Sequence, residues 1–251
     1  MTNEEIKESV RKQYGEVATS TTSCCGPGCC GSTEAQAMIT PGMNDVYTGV
    51  EQKIVAVADL GLGCGTPAAF AGLSAGMTVL DLGSGAGIDV FIAAREVGPG
   101  GRAIGVDMTD AMIARARQNQ IGLGIANAEF RKGEIEHLPV DTDSVDRIIS
   151  NCVINLVPDK STAFAEMLRV LKTGGKVVLS DIVTVGTMPD QLRADMRLWA
   201  GCIAGAIDKE AYLTIVRETG FNDVRILTEK RYEFSTPLPF GVVSITMAAT
   251  K

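Results

Sequence analysis

Val79-Leu-Asp-Leu-Gly-Ser-Gly-Ala-Gly87 runs an apolar strand straight into three alternating glycines, and the helix that follows carries Val90, Phe91, Ala94 and Val97 on one face. Glycines at such a junction let the backbone turn sharply and approach a ligand closely. In the dinucleotide-binding fingerprint the third glycine comes three residues after the second. Here it comes after two, and Ile88 stands three residues beyond Gly85. The tighter spacing suits a nucleotide ligand without a pyrophosphate, whose amino-acid tail passes the loop. The next strand, Arg102-Ala-Ile-Gly-Val-Asp107, ends in an acid 20 residues beyond Gly87, where a carboxylate can accept from ribose hydroxyls. A third strand leads to Gly133-Glu-Ile-Glu-His-Leu-Pro139, where Glu134 can accept from an exocyclic amine. Ligands of open α/β sheets lie at the carboxyl ends of the strands, so these loops converge. The candidate cofactor contacts are Asp81, Gly83, Gly85, Gly87, Asp107, Met108, Glu134, Ile135 and Asn151.

Outward from this motif, strand-length apolar runs alternate with helical segments. Residues 78–82, 102–107, 128–133, 146–151 and 176–183 read as strands, and 88–97, 109–121, 160–172 and 208–219 as helices. Phe164, Met167, Leu168 and Leu171 have the i, i+3, i+4, i+7 spacing of one helix face. Strands near 223–230 and 240–249 have no helix between them. The expected fold is α/β: a Rossmann-like, mostly parallel sheet with an antiparallel edge and helices on both faces. Residues 3–18 read as an amphipathic helix, and 189–206 as a late helical stretch carrying Trp199 and Cys202. The expected organisation is an N-terminal helix and cysteine-rich mobile loop over 1–44, then one domain over 45–251 with a helical insertion at about 186–207. A second glycine cluster, Gly61-Leu-Gly-Cys-Gly65, lacks a strand and an acid at the right distance, so it is not a second cofactor loop.

The 251 residues suffice for one sizeable α/β core. A net charge of −7 leaves no basic stripe to neutralise phosphates, which argues against nucleic acid as a partner. No apolar run approaches the roughly 20 residues of a membrane span, and the charged start Met1-Thr-Asn-Glu-Glu5 is no export signal. A cytoplasmic location is expected. Seven cysteines in a reducing compartment suggest thiol chemistry or metal binding, or buried small hydrophobes. Zinc-finger spacing is missing, and the single histidine, His137, falls in the adenine-side segment and reads as a core or solvent-facing residue rather than a catalyst.

These residues resemble the class I S-adenosylmethionine methyltransferases. With Gly61–Gly65, Val106-Asp-Met-Thr109, Gly133–Pro139, Ser150-Asn-Cys-Val-Ile-Asn-Leu156 and Gly201-Cys-Ile-Ala-Gly205, the chain is similar to the arsenite methyltransferase family over about residues 45–230. The resemblance implies S-adenosylmethionine as methyl donor and trivalent arsenic, as arsenite or its thiol adducts, as acceptor. It assigns Cys64, Cys152 and Cys202 to the arsenic site. It also implies an N-terminal cysteine, from Cys24, Cys25, Cys29 and Cys30, that joins a redox cycle served by a cellular thiol of glutathione or thioredoxin type; Cys30 is the candidate. Thr66 stands where the family pattern has Asn, and the longer C-terminal domain of larger relatives is not expected here. The chemistry agrees: arsenic(III) carries its own lone pair, needs no base and prefers thiolates. Two other readings stay open, a methyltransferase of small organic acceptors with structural cysteines and a non-catalytic thiol protein that sequesters a soft metal.

Overall fold

The computed structural model describes residues 2–19, 47, 50–193, 204–232 and 239–251. Cys24, Cys25, Cys29, Cys30, Trp199 and Cys202 lie outside the described residues. Seven strands form one sheet: β1 (Thr78–Leu82), β2 (Arg102–Asp107), β3 (Ala128–Lys132), β4 (Val145–Asn151), β5 (Leu171–Val185), β6 (Asn222–Tyr232) and β7 (Gly241–Thr250). Their order is β3-β2-β1-β4-β5-β7-β6. The first five run parallel, and β7 pairs antiparallel with both β5 and β6. The expected parallel sheet with an antiparallel edge is therefore present.

Alternate residues of each strand feed opposite faces, as a period of two requires. Leu80, Ile148, Val177 and Leu179 join one core with Phe164 and Met167 of α6 (Lys160–Val170) and Tyr212 and Val216 of α8 (Lys209–Glu218). Val79, Ile149 and Val178 join the other. That second core holds Phe91 and Val97 of α4 (Ile88–Val97), Ile113 and Ala116 of α5 (Asp110–Leu123), and Ile54 of α2 (Gln52–Ala58). Two short helices, α3 (Pro67–Phe70) and α7 (Asp190–Arg193), complete the set with α1 (Asn3–Thr19).

Helix α6 starts where Asp159 caps it, accepting from Thr162 N at 3.0 Å. It stops at Val170, earlier than the periodicity suggests, because Leu171 takes an extended conformation (φ −67°, ψ 138°) and opens β5. Among the described residues of the late stretch, helix is present at α7, and Ala204 and Gly205 at its far end form a turn.

Register places the site. Leu82 pairs with Val106 on one side and Ser150 on the other, so Gly83, Asp107 and Asn151 leave the sheet at one level. The order reverses at β1, which has β2 and β4 as neighbours. A crevice opens at such a switch point.

Candidate active site

A cleft with about 1050 Å³ of empty space opens at that edge. Eight of the nine candidate cofactor residues line it: Asp81, Gly83, Gly85, Asp107, Met108, Glu134, Ile135 and Asn151. Gly87 does not. It adopts φ 97° as the residue before α4, and a Cβ there would lie 2.8 Å from Phe130 Cζ and 2.9 Å from Phe91. Its role is the turn and tight helix–strand packing. At Gly83, φ 67°, a side chain would collide with Val153 at 2.5 Å.

Asp107 accepts from Gly85 N at 3.0 Å through one oxygen and from Thr109 N at 2.8 Å through the other. Those bonds fix the carboxylate against the glycine loop, while burial lifts its pKa above the usual carboxylate value. Asp81 is 4% exposed and accepts no hydrogen bond from a described residue, and burial next to Asp89 and Asp107 pushes its pKa well up. Asp89 has one oxygen on the Tyr47 hydroxyl at 2.9 Å and the other, Oδ1, buried without a partner. Burial raises its pKa to about 6. The cleft floor is thus a group of buried acids with no counter-cation beside them among the described residues, an environment that favours a positively charged ligand.

Helix α1 roofs the cleft through Lys7, Val10 and Tyr14. Lys7 Nζ reaches Glu134 at 2.7 Å and Glu136 at 2.9 Å, and Arg11 reaches Glu134 at 3.3 Å. The Lys7 and Arg11 charges hold the Glu134 carboxyl below its ordinary pKa. Glu134 lines the cleft as expected, yet its oxygens serve α1. This partner is not visible in the sequence, because nothing local links residues 7 and 134. His137 is exposed, which fits its solvent-facing reading.

The sulfur side of the cleft lies at the end of β4. Cys64 and Cys152 are buried, neither is in a disulfide, and both belong to one apolar cluster with Leu156, Ile182 and Phe240. Cys152 lines the cleft and sits at φ 63°, in the left-handed region that a side chain rarely adopts. Its N–H donates to Ser180 O at 2.7 Å. Ser244 Oγ donates to Cys64 O at 2.9 Å. Half-buried Tyr232 stands close enough to both sulfurs for their charge to reinforce the effect of burial, and its pKa is pushed up to about 12. Among the described residues no group of three His, Cys, Asp or Glu side chains could hold a metal ion. Two of the three candidate arsenic ligands therefore come together, and the third, Cys202, lies outside the described residues. No helix among the described residues is long and apolar enough to cross a membrane.

Residues 73–220 match the family model described as a methyltransferase domain. An arsenite methyltransferase of Halobacterium salinarum is 47% identical over 233 residues, covering 89% of this chain and 59% of that protein. One from Aquipseudomonas alcaligenes is 35% identical over 232 residues, covering 90% and 64%. The chain thus spans less than two thirds of the length of these curated relatives. The crystal structure of CrArsM, an arsenic(III) S-adenosylmethionine methyltransferase from Chlamydomonas reinhardtii, superposes with a TM-score of 0.72 at 33% identity, covering 84% of this chain and 74% of that one.

The cleft fits the methyl donor of these enzymes. Asp81, Asp89 and Asp107 all line it, and this acidic lining suits a ligand that carries an ammonium and a sulfonium. The glycine fingerprint, the buried acids and the cysteines at the end of β4 agree with these likenesses: the chain belongs to the arsenic(III) S-adenosylmethionine methyltransferase family.

Proposed function

We propose that the protein transfers methyl groups from S-adenosylmethionine to trivalent arsenic held by Cys64, Cys152 and Cys202. The observation that carries the proposal is the pair of buried thiols, Cys64 and Cys152, in one apolar cluster, with Cys152 on the wall of the cofactor cleft. When bound, S-adenosylmethionine supplies an electrophilic methyl carbon on a sulfonium. The residues of this chain do the positioning. Asp81 and Asp89 draw the cation to the glycine loop, Asp107 orients the ribose, and Ile135 and Met108 wall the nucleoside. The cysteine sulfurs, as thiolates, hold arsenic beside the donor with its lone pair directed at the methyl carbon. Such orientation removes much of the barrier to displacement. No base is required, which suits a cleft whose nearest histidine is exposed. The apolar neighbours Leu156 and Ile182 keep water from the sulfurs.

Each transfer leaves arsenic two electrons more oxidised. In this proposal a pair of cysteine thiols returns those electrons and forms a disulfide, which a cellular thiol of glutathione or thioredoxin type reduces. Cys30, in the segment that follows α1, is the candidate N-terminal participant. A cytoplasmic location suits this thiol chemistry. The division at residue 44, with α1 and the cysteine-rich segment preceding a methyltransferase domain over 45–251, belongs to the same reading.

The test is Cys152→Ser. Arsenite, cofactor and a thiol are incubated with the enzyme, and the arsenic species are separated. The substitution abolishes methylarsenic products while cofactor affinity by calorimetry stays within about twofold. Full methylation of arsenite by the variant would refute the proposal and favour an organic acceptor with structural cysteines.

A further inference from the structure

The buried thiols sit on segments far apart in the chain, and one side chain joins those segments. Asn151 ends β4 and immediately precedes Cys152. Its Oδ1 accepts from Cys64 N at 2.9 Å and from Gly65 N at 3.2 Å. Its Nδ2 lies 2.8 Å from Gly65 O, 3.1 Å from the Tyr47 hydroxyl and 3.3 Å from Asp89 Oδ2. The amide therefore grips the Gly61–Gly65 turn from both sides, as a strand partner would. The turn is shaped to receive it. A Cβ on Gly63 would fall 2.8 Å from Asn151 Nδ2, and one on Gly65 would fall 2.4 Å from Ser180 Oγ. Ser180 is also the residue whose carbonyl receives the Cys152 N–H.

We propose that Asn151 is the positioning residue of the arsenic site, setting the spacing between the Cys64 and Cys152 sulfurs rather than contacting the cofactor as its principal task. The inference rests on the arsenic reading above. A centre that binds two thiolates gains affinity when the second sulfur is already held near the first, because the second bond then forms within one molecule. Asn151 supplies that pre-arrangement, since it fixes the Cys64 backbone to the residue that bears Cys152.

The test uses phenylarsine oxide, which takes two thiols, without cofactor. The full chain is used with Cys24, Cys25, Cys29 and Cys30 replaced by serine. Asn151→Ala in this background lowers phenylarsine oxide affinity by at least ~10-fold, the scale expected when a second bond loses its effective concentration. Reaction of Cys152 with iodoacetamide, which needs one thiol, changes less than about threefold; a general loss of structure would move both. Should Asn151→Ala fold poorly, Asn151→Asp keeps the shape and the acceptor for Cys64 N but sets an oxygen against Gly65 O and Asp89 Oδ2, and it gives a loss at least as large. If the parent binds phenylarsine oxide tightly and both variants bind it equally well, the positioning role is overturned while the arsenic reading stands. If cofactor affinity collapses with phenylarsine oxide affinity unchanged, Asn151 is a cofactor residue and the inference is again overturned. A parent that binds no phenylarsine oxide overturns the arsenic reading and the inference together.

Discussion

Cys152 holds a backbone conformation that costs a non-glycine residue about 1–3 kcal/mol, and the surrounding bonds keep it there. Such strain is tolerated where a side chain must point somewhere a relaxed strand end would not send it. The motif around Cys152 was legible as a specific segment, but its left-handed turn was not, because no glycine or asparagine stands at that position to advertise it. Asp107 was legible, since its spacing from the glycines is a local property. The structure adds that its oxygens are set by the N–H groups of Gly85 and Thr109. Asp107→Ala removes both the ribose acceptor and the tie to the glycine loop, so cofactor binding weakens by about 1–3 kcal/mol, the scale for hydrogen bonds to a charged group. Isothermal titration checks this, and unchanged affinity would sink the ribose assignment.

At the scale of elements, periodicity found α1 but not its berth. Ile6, Val10 and Ala18 form its buried side, which the sequence shows as amphipathicity, whereas Lys7 is an apparently ordinary surface cation. In the fold Lys7 is 13% exposed and lies between Glu134 and Glu136, the latter 8% exposed. Lys7→Met keeps the length of the side chain but leaves the Glu136 carboxylate buried without its cation, an arrangement that is strongly unfavourable. Amide hydrogen exchange over residues 3–19 speeds up in this variant, and cofactor dissociation quickens with it. Exchange rates identical to the parent would show that the ion pairs do not fasten the roof. The antiparallel edge was also legible, though not the order of its strands. β7 is buried at seven of its ten residues and lies inside the sheet, whereas β6 is mostly exposed and takes the rim. The difference was written in composition: Gly241-Val-Val-Ser-Ile-Thr-Met247 carries no charged residue, and Arg225, Glu229, Lys230 and Arg231 suit an edge.

For the molecule as a whole, the interior acids govern the response to pH. Asp89, next to Tyr47, Asn151, Asp59 and Asp81, titrates at about 6. Asp181, facing Lys160, Tyr212 and Asn155, titrates at about 7 because burial outweighs those contacts. Both folded-state values lie above the ordinary 3.8. The folded chain therefore holds these protons more tightly than the unfolded chain. The stability they contribute is complete below about pH 4 and is lost as pH rises through about 6 and then 7. The ligand-free protein thus loses a stabilising contribution from these groups between pH 5 and pH 7.5. A cationic cofactor beside Asp81 and Asp89 favours their ionised forms, so its stabilising effect grows over the same interval. Scanning calorimetry with and without S-adenosylmethionine at the two pH values gives a larger cofactor-induced rise in Tm at pH 7.5. A rise that does not change with pH would remove the acids from cofactor binding.

The sequence by itself determined the strands and helices, the parallel sheet, the glycine loop and its acid, because each is encoded by residues a few positions apart. Only the tertiary structure decided that Cys64 and Cys152 share one apolar cluster, that Asn151 bonds the turn bearing Cys64, that Lys7 of α1 pairs with Glu134, and that Gly87 packs outside the cleft lining. Those outcomes depend on hydrogen bonds and ion pairs between residues such as Cys64 and Asn151, 87 positions apart, or Lys7 and Glu134, 127 apart. Side chains at that separation become neighbours only after the sheet has set its strand order and register.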